Sequence, residues 1–379
     1  MRLARHPLIR RPLPLAAVAL ASVVALPGTA SAATNDSFRA AQFGLDQVRA
    51  EQAWPKTRGA GAVIAVVDTG VDLAHPDLQG QLLPGATFTC DGAPGPCGNG
   101  DFRGTNGVND GDEHGTHVAG ISAAATGNGI GIAGVAPDAK ILPVKVLEAG
   151  SGSFEDIAAG IRWSADQGAD VINLSLGGLP GTQLLTYTGL IADTTEAVAY
   201  ARSKGSVVVA AAGNDFQFPL CGTPAFEDGA LCVASTDKRE LPSAFSNNGI
   251  KPDLMAVAGP GGSLVPSCGE DVVSTVPTGT GRSASCGYGT AYDEYAGTSM
   301  ATPHVAGVAA LLAAQGRSAE NILEVLLTTS RQGVTGLRGV FTPQYGFGIV
   351  DAAAAASAPG AAVVAAPAPT PAKKGKNGR

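Results

Sequence analysis

Between Val305 and Ala314 the chain offers a helix with no polar side. Val305, Val308, Ala309 and Leu312 recur at helical spacing, and Ala310, Leu311, Ala313 and Ala314 fill the remaining directions. Such a helix has to be covered all round, which demands a fold large and layered enough to bury it. The residues before it are polar: Gly297-Thr298-Ser299-Met300-Ala301-Thr302-Pro303-His304. Pro303 suits a first helical turn, where its missing N–H is not needed, and this places Ser299 just ahead of or within the opening turn. A helix start collects unpaired N–H groups and positive dipole, which favour negative charge developing beside it. Ser299 can therefore be a helix cap or a nucleophile. The choice depends on whether the chain supplies a base.

Two other stretches bear on that choice. Val63-Ile64-Ala65-Val66-Val67-Asp68-Thr69-Gly70 reads as a buried parallel strand running into a carboxylate, and in open α/β sheets the carboxyl ends of strands face the ligand crevice. An aspartic protease would need a second Asp-Thr/Ser-Gly to share a proton with Asp68, and the sequence has none. Asp112-Glu113-His114-Gly115-Thr116-His117-Val118-Ala119-Gly120 places two histidines three apart at the start of a small-residue helix. A zinc hydrolase built on His114 and His117 is one reading, although no His-Glu-x-x-His is present. The order Asp68, His114, Ser299 fits a different chemistry. It is the order of one serine-protease lineage, whereas α/β-hydrolases run Ser, Asp, His around a Gly-x-Ser-x-Gly elbow, and here Ala301 stands where that elbow needs glycine.

The three stretches resemble the signature motifs of the subtilisin-like serine proteases, and the resemblance extends from about Leu45 to about Ala354. A fourth match, Ala210-Ala211-Ala212-Gly213-Asn214 after the strand Val207-Val208-Val209, resembles the family's oxyanion-hole segment. The resemblance implies a secreted serine endopeptidase in which Ser299 attacks, His114 moves the proton, Asp68 orients the ring, and Asn214 helps to hold the oxyanion. It also implies that Gly150-Ser151-Gly152 and Ser175-Leu176-Gly177 flank an extended substrate read largely through its backbone, giving broad specificity. By the same resemblance Ala211, Ala212 and Gly213 line the primary pocket and Phe154 borders an outer apolar one, while Asp215 is either at the pocket rim or an exposed surface carboxylate. A structural calcium site is implied by His75-Pro76-Asp77-Leu78 and the loop 126–132, with Asp77, Asn128 and the carbonyls of Thr126, Ile130 and Ile132 as oxygen ligands. The acidic cluster Asp101, Asp110, Asp112 and Glu113 is either a second ion site or a solvated loop. No catalytic metal or organic cofactor is expected. The alternative is a catalytically silent relative that binds peptides.

The fold read from the pattern is α/β: a largely parallel sheet covered by helices on both faces, in the three-layer arrangement of the subtilisin-like family. The alternation that supports it is the Asp68 strand, the His114 helix, the strand Ile141–Leu147, a helix over about Phe154–Asp166, the strand Val171–Leu176, a helix to about Ser203, and the strand ending at Ala212. From Ala230 to Gly289 the chain reads as a looser region rich in Gly, Pro, Ser and short β runs.

Domain boundaries follow from composition. Residues 1–32 read as a secretory signal peptide: Arg2, Arg5, Arg10 and Arg11, then the apolar run Leu15–Leu26, then Ala30-Ser31-Ala32 as a cleavage site. Residues 33–357 form the catalytic domain and 358–379 a flexible Ala/Pro/Lys-rich tail. Only an arm from Phe43-Gly44-Leu45 to Ala53-Trp54 intervenes between leader and first strand, so no complete pro-domain is expected. Setting aside four leader arginines and four tail cations moves the net charge from −7 to −15. An exported body this acidic argues against nucleic acid or anionic membrane as partner and fits a soluble secreted enzyme; protein or peptide substrates are what the resemblance implies. After the leader no run is long enough to span a bilayer, and a monomer is expected. Six cysteines in an exported body suggest disulfides; of the 15 possible connectivities, the nearest pairings, Cys90–Cys97, Cys221–Cys232 and Cys268–Cys286, are favoured because each staples one loop.

Overall fold

The structure, a computed structural model, describes residues 34–89, 112–178, 181–183, 192–216, 218–249 and 254–360. Its strands are β1 (Val63–Asp68), β2 (Ala86–Thr87), β3 (Lys140–Lys145), β4 (Val171–Leu174), β5 (Val207–Ala211), β6 (Ala230–Thr236), β7 (Ala256–Pro260), β8 (Val272–Thr275) and β9 (Tyr292–Tyr295). Its helices are α1 (Phe43–Val48), α2 (Ala50–Ala53), α3 (His114–Ala123), α4 (Phe154–Asp166), α5 (Ala192–Ser203), α6 (Thr298–Ala313), α7 (Ala319–Thr329) and α8 (Ala352–Ser357). Seven strands pair in the order β2-β3-β1-β4-β5-β6-β7, every pairing parallel, while β8 and β9 form a separate antiparallel ribbon.

The strands are apolar throughout because both faces of the sheet are covered. Alternate residues feed two cores: Ile64 and Val66 of β1 and Val207 and Val209 of β5 pack with α3 and α6, whereas Ala65, Val67, Val208 and Ala210 pack with α4 and α5. Helix α6 lies in the interior as its sequence requires. Every residue from Met300 to Leu312 is buried, with β4 to β7 and helices α3, α7 and α8 around it.

Three expectations shift. Helix α6 begins at Thr298, so Pro303 lies inside it rather than in its first turn. The strands predicted over Ile141–Leu147 and Val171–Leu176 end earlier, at Lys145 and Leu174, and the residues beyond them become loops at the sheet's carboxyl edge. The region predicted to be loose contributes two fully buried strands, β6 and β7, to the main sheet; both faces are covered, so neither alternates, and β7 is only five residues long and ends in Gly259-Pro260.

Cys221–Cys232 and Cys268–Cys286 are disulfide-bonded as favoured from the sequence. The pair Cys90–Cys97, Asp101, Asp110, the leader and the tail beyond residue 360 lie outside the described residues. Among the described residues no helix is long and apolar enough to cross a membrane.

Candidate active site

Asp68 ends β1 with no solvent exposure, and its Oδ1 is a focus of donors. It accepts from the Thr69 amide at 2.7 Å, the Thr69 hydroxyl at 3.2 Å and the His114 Nδ1–H at 2.7 Å. The Thr69 hydroxyl also accepts from the Gly115 amide at 2.8 Å, which ties the strand end to the first turn of α3. Since an ionised carboxylate can only accept, the proton of the His114 ring is held on Nδ1, leaving Nε2 with its lone pair. Glu113 sets the start of α3 in a left-handed conformation, φ 65°, and is tied to Arg282 and to the Tyr295 hydroxyl. His117 is turned away from His114: buried, it stacks on Tyr295 with centroids 4.5 Å apart, and its Nε2–H donates to the Asp293 carbonyl at 3.2 Å. Burial, reinforced by His114, pushes its pKa down to about 3, so it stays neutral.

Ser299 is the second residue of α6 and is bound to Ser175, just beyond β4, in both directions. Its hydroxyl donates to the Ser175 carbonyl at 3.1 Å, and the Ser175 hydroxyl donates to the Ser299 carbonyl at 2.8 Å. The second bond has a cause in the sequence. A helical carbonyl normally receives the N–H four residues on, but four residues after Ser299 comes Pro303, which has none. Ser175 takes that place. Asn173 Nδ2 donates to the Ser175 hydroxyl at 2.9 Å and fixes its direction.

Asn214 follows β5 on a loop brought against the start of α6. Its Oδ1 accepts from the Thr298 amide at 2.9 Å and the Thr298 hydroxyl at 3.0 Å. With the oxygen engaged, the amide orientation is set and Nδ2 is the end left to act as donor. Gly213 before it has φ +104°, and a Cβ there would meet Asn247 Nδ2 at 2.5 Å.

A cavity of about 650 Å³ opens at this carboxyl edge of the sheet. Among its wall residues are His114, Gly150, Gly152, Phe154, Ser175, Leu176 and Gly177, the residues expected around a substrate. Any side chain at Gly152 would strike the Val146 carbonyl, its Cβ falling 2.3 Å away, so the edge segment stays flat. Ala211 and Ala212, expected to line a primary pocket, are buried and Gly213 is half-buried, and none of the three is among the residues that wall this cavity. Asp215 faces Asn247, to which it is doubly hydrogen-bonded, instead of the cavity. Asp112, Thr182, Thr194, Thr223 and Pro224 also line the wall. Asp112 adjoins the His114 motif, whereas the other four come from segments without local motif, and only the tertiary fold brings them in.

At the opposite end of α3, Asp77 is buried, accepting from Asn128 Nδ2 at 2.7 Å and the Ile132 amide at 2.9 Å. Burial, with Asp36 nearby, pushes its pKa up to about 6. Asp36 accepts from the amides of Gly127 and Asn128, at 2.8 and 3.1 Å, which places a second carboxylate at this loop that the sequence did not reveal. Ile130 is exposed, its amide donating to Asn128 Oδ1, and the Thr126 hydroxyl bonds within the loop. Two carboxylates thus meet at this loop, and the amide of Asn128 presents its nitrogen to Asp77 while its oxygen accepts from Ile130, so a turn of that amide would add a third oxygen ligand. That is the donor chemistry a hard dication suits.

Residues 59–348 match the model of the subtilase family. Thermitase of Thermoactinomyces vulgaris is 45% identical over 77% of this chain and 89% of its own. An extracellular protease of Xanthomonas campestris is 36% identical over 81% of this chain, which spans only about half (53%) of that longer protein. Among solved structures, a protease from Pseudoalteromonas arctica superposes with a TM-score of 0.71 at 34% identity, covering 86% of this chain and 99% of that one. The chain thus belongs to the subtilase family and is a serine-type endopeptidase.

Proposed function

We propose that this endopeptidase cuts its substrates with Ser299 as nucleophile, His114 as general base and then acid, Asp68 as the group that orients the ring, and Asn214 with the Ser299 amide as oxyanion donors. The observation that carries the reading is the 2.7 Å bond from His114 Nδ1 to the buried Asp68 carboxylate. By holding the ring proton on Nδ1 it makes Nε2 the nitrogen that takes the Ser299 proton as the hydroxyl attacks the peptide carbonyl. Asp68 offsets the charge the ring then carries, and Nε2 returns the proton to the leaving amine. The Asn214 amide meets charge that exists only in the transition state and so lowers the barrier without tightening the ground state.

An extended peptide lies between Gly150–Gly152 and Ser175–Gly177, pairing with their backbone, with Phe154 and Leu176 touching side chains. Backbone reading makes specificity broad. Residues 1–32 act as an export signal, which makes the enzyme extracellular, and 358–379 form a tail. Asp77, Asn128 and loop carbonyls, with Asp36 added to the set, would hold a calcium ion, which would supply stability by tying the segment at Asp36 to the 126–132 loop.

The test is a serine-directed phosphonylating reagent followed by mass mapping of the adduct. Proteolysis lost in step with labelling of Ser299 supports the reading. Inhibition only by a zinc chelator would favour a metal hydrolase, and no proteolysis before treatment a silent peptide binder; either overturns it.

A further inference from the structure

Asn247 is fully buried, far in sequence from the residues given catalytic roles above, and it spends its side-chain amide and its backbone N–H on the loop that carries Asn214. Its Nδ2 donates to the Asp215 carboxylate at 2.8 Å and to the Ala212 carbonyl at 3.2 Å, while its Oδ1 accepts from the Asp215 amide at 2.9 Å. Its backbone amide donates to the Gly213 carbonyl at 2.9 Å. These contacts fall on residues 212, 213 and 215, immediately on either side of Asn214 and not on Asn214 itself.

The platform beneath Asn247 is fixed. Phe216 and Asn248 make backbone bonds between the same two segments, to Phe245 and Phe218, at 3.0 and 2.8 Å. The neighbouring Ser246 hydroxyl accepts from the Ser235 amide of β6 at 2.9 Å, and the Phe245 side chain is buried in the core. The loop after Asn214 is further pinned to β6 by Cys221–Cys232. Asn214 is thus gripped at two points: Thr298 sets the direction of its side chain, and Asn247 sets the path of its backbone. The half-exposed Gly213 has room for no side chain because the Asn247 amide occupies that space.

The geometry points to Asn247 as a positioning residue for the oxyanion donor, a role that rests on the assignment of Asn214 above. A donor aimed at a transition state loses effect when displaced by a fraction of an ångström, whereas ground-state binding along the cleft edges is indifferent to it. Asn247→Ala should therefore lower kcat by about ten- to a hundredfold, counted per phosphonylatable active site, with KM changed less than about twofold.

The decisive measurement is the double-mutant cycle with Asn214→Leu in the full chain. If Asn247 works through Asn214, adding Asn247→Ala to Asn214→Leu should cost less than about twofold further. The same loss in both backgrounds, or a fall only in the titratable fraction with kcat per site unchanged, overturns the proposal. Asn214→Leu leaving kcat intact would instead remove the oxyanion assignment beneath it. Should Asn247→Ala not fold, Asn247→Asp keeps the volume and the acceptor but removes both donated bonds and sets a carboxylate against Asp215. It is expected to show the same kcat loss and the same masking by Asn214→Leu, and additivity there overturns the proposal equally.

Discussion

Ser175 and Ser299 are locked to each other by two antiparallel hydrogen bonds, each hydroxyl donating to the other's carbonyl at 2.8 and 3.1 Å. The pair links a cavity wall residue to the start of the central helix, and it exists because Pro303 leaves the Ser299 carbonyl without its helical donor. Ser175→Ala should strand both that carbonyl and the Nδ2 of Asn173, whose Oδ1 is already without a partner. The expected cost is about 1 to 3 kcal/mol of stability together with a fall in kcat. Thermal unfolding and steady-state kinetics check it; a variant matching the parent in both would show the pair to be incidental.

Gly213→Ala should damage catalysis more than binding. The residue sits at φ +104°, and the added Cβ would stand 2.5 Å from Asn247 Nδ2. Backbone strain of about 1 to 3 kcal/mol is relieved only by moving the loop that carries Asn214. A lower kcat at near-constant KM is expected, and a change confined to KM would contradict it.

Stability should decline in mild acid because His75, His117 and His304 are all buried, and burial lowers the pKa of each. Burial pushes the pKa of His304 down to about 4 and, with help from His114, that of His117 down to about 3. The unfolded chain takes up these protons below about pH 6.5 and the folded chain does not, so protons bind preferentially to the unfolded state. The loss begins as pH falls through about 6.5 and grows until the folded values are reached. At pH 5 His117 and His304 each contribute roughly 2 kcal/mol of destabilisation relative to neutral pH. His304→Gln should flatten the fall of Tm between pH 7.5 and 5 by one such share; parallel curves for parent and variant would refute the assignment.

Chelation should lower Tm, and calcium in hundredfold excess over its Kd should restore about 2.7 kcal/mol. Asp77→Asn is expected to abolish that response while leaving kcat at low temperature near the parent value. A calcium-dependent Tm that survives the substitution would move the site elsewhere.

Much of this was legible in the sequence because Asp68, His114, Asn214 and Ser299 each sit where a strand or helix begins or ends. There hydrophobic periodicity breaks, and the residue that breaks it stands out. Asp36 and Asn247 left no such mark. Each lies in an irregular segment and gains its meaning only from a loop roughly 90 or 30 residues away that the fold lays against it. Pro303 misled for a related reason: its preference for first turns is real, but contacts of Thr298 with Asn214 extend the helix upstream of it. Residues 256–260 looked loose because a five-residue strand that itself ends in Gly259-Pro260 has too little length to show a period.

A helix enclosed on every side opens only when the domain does, so the backbone amides of α6 should be among the last to exchange with solvent deuterium. Ser299 is anchored to that slow-opening unit, while Gly150–Gly152 and Gly177 belong to loops at the rim of the sheet that can open independently. The enzyme can then reshape its grip on each new chain it meets without disturbing the aim of its nucleophile. A second copy of the enzyme, which can cut only extended chain, is offered the loops long before it is offered the machinery.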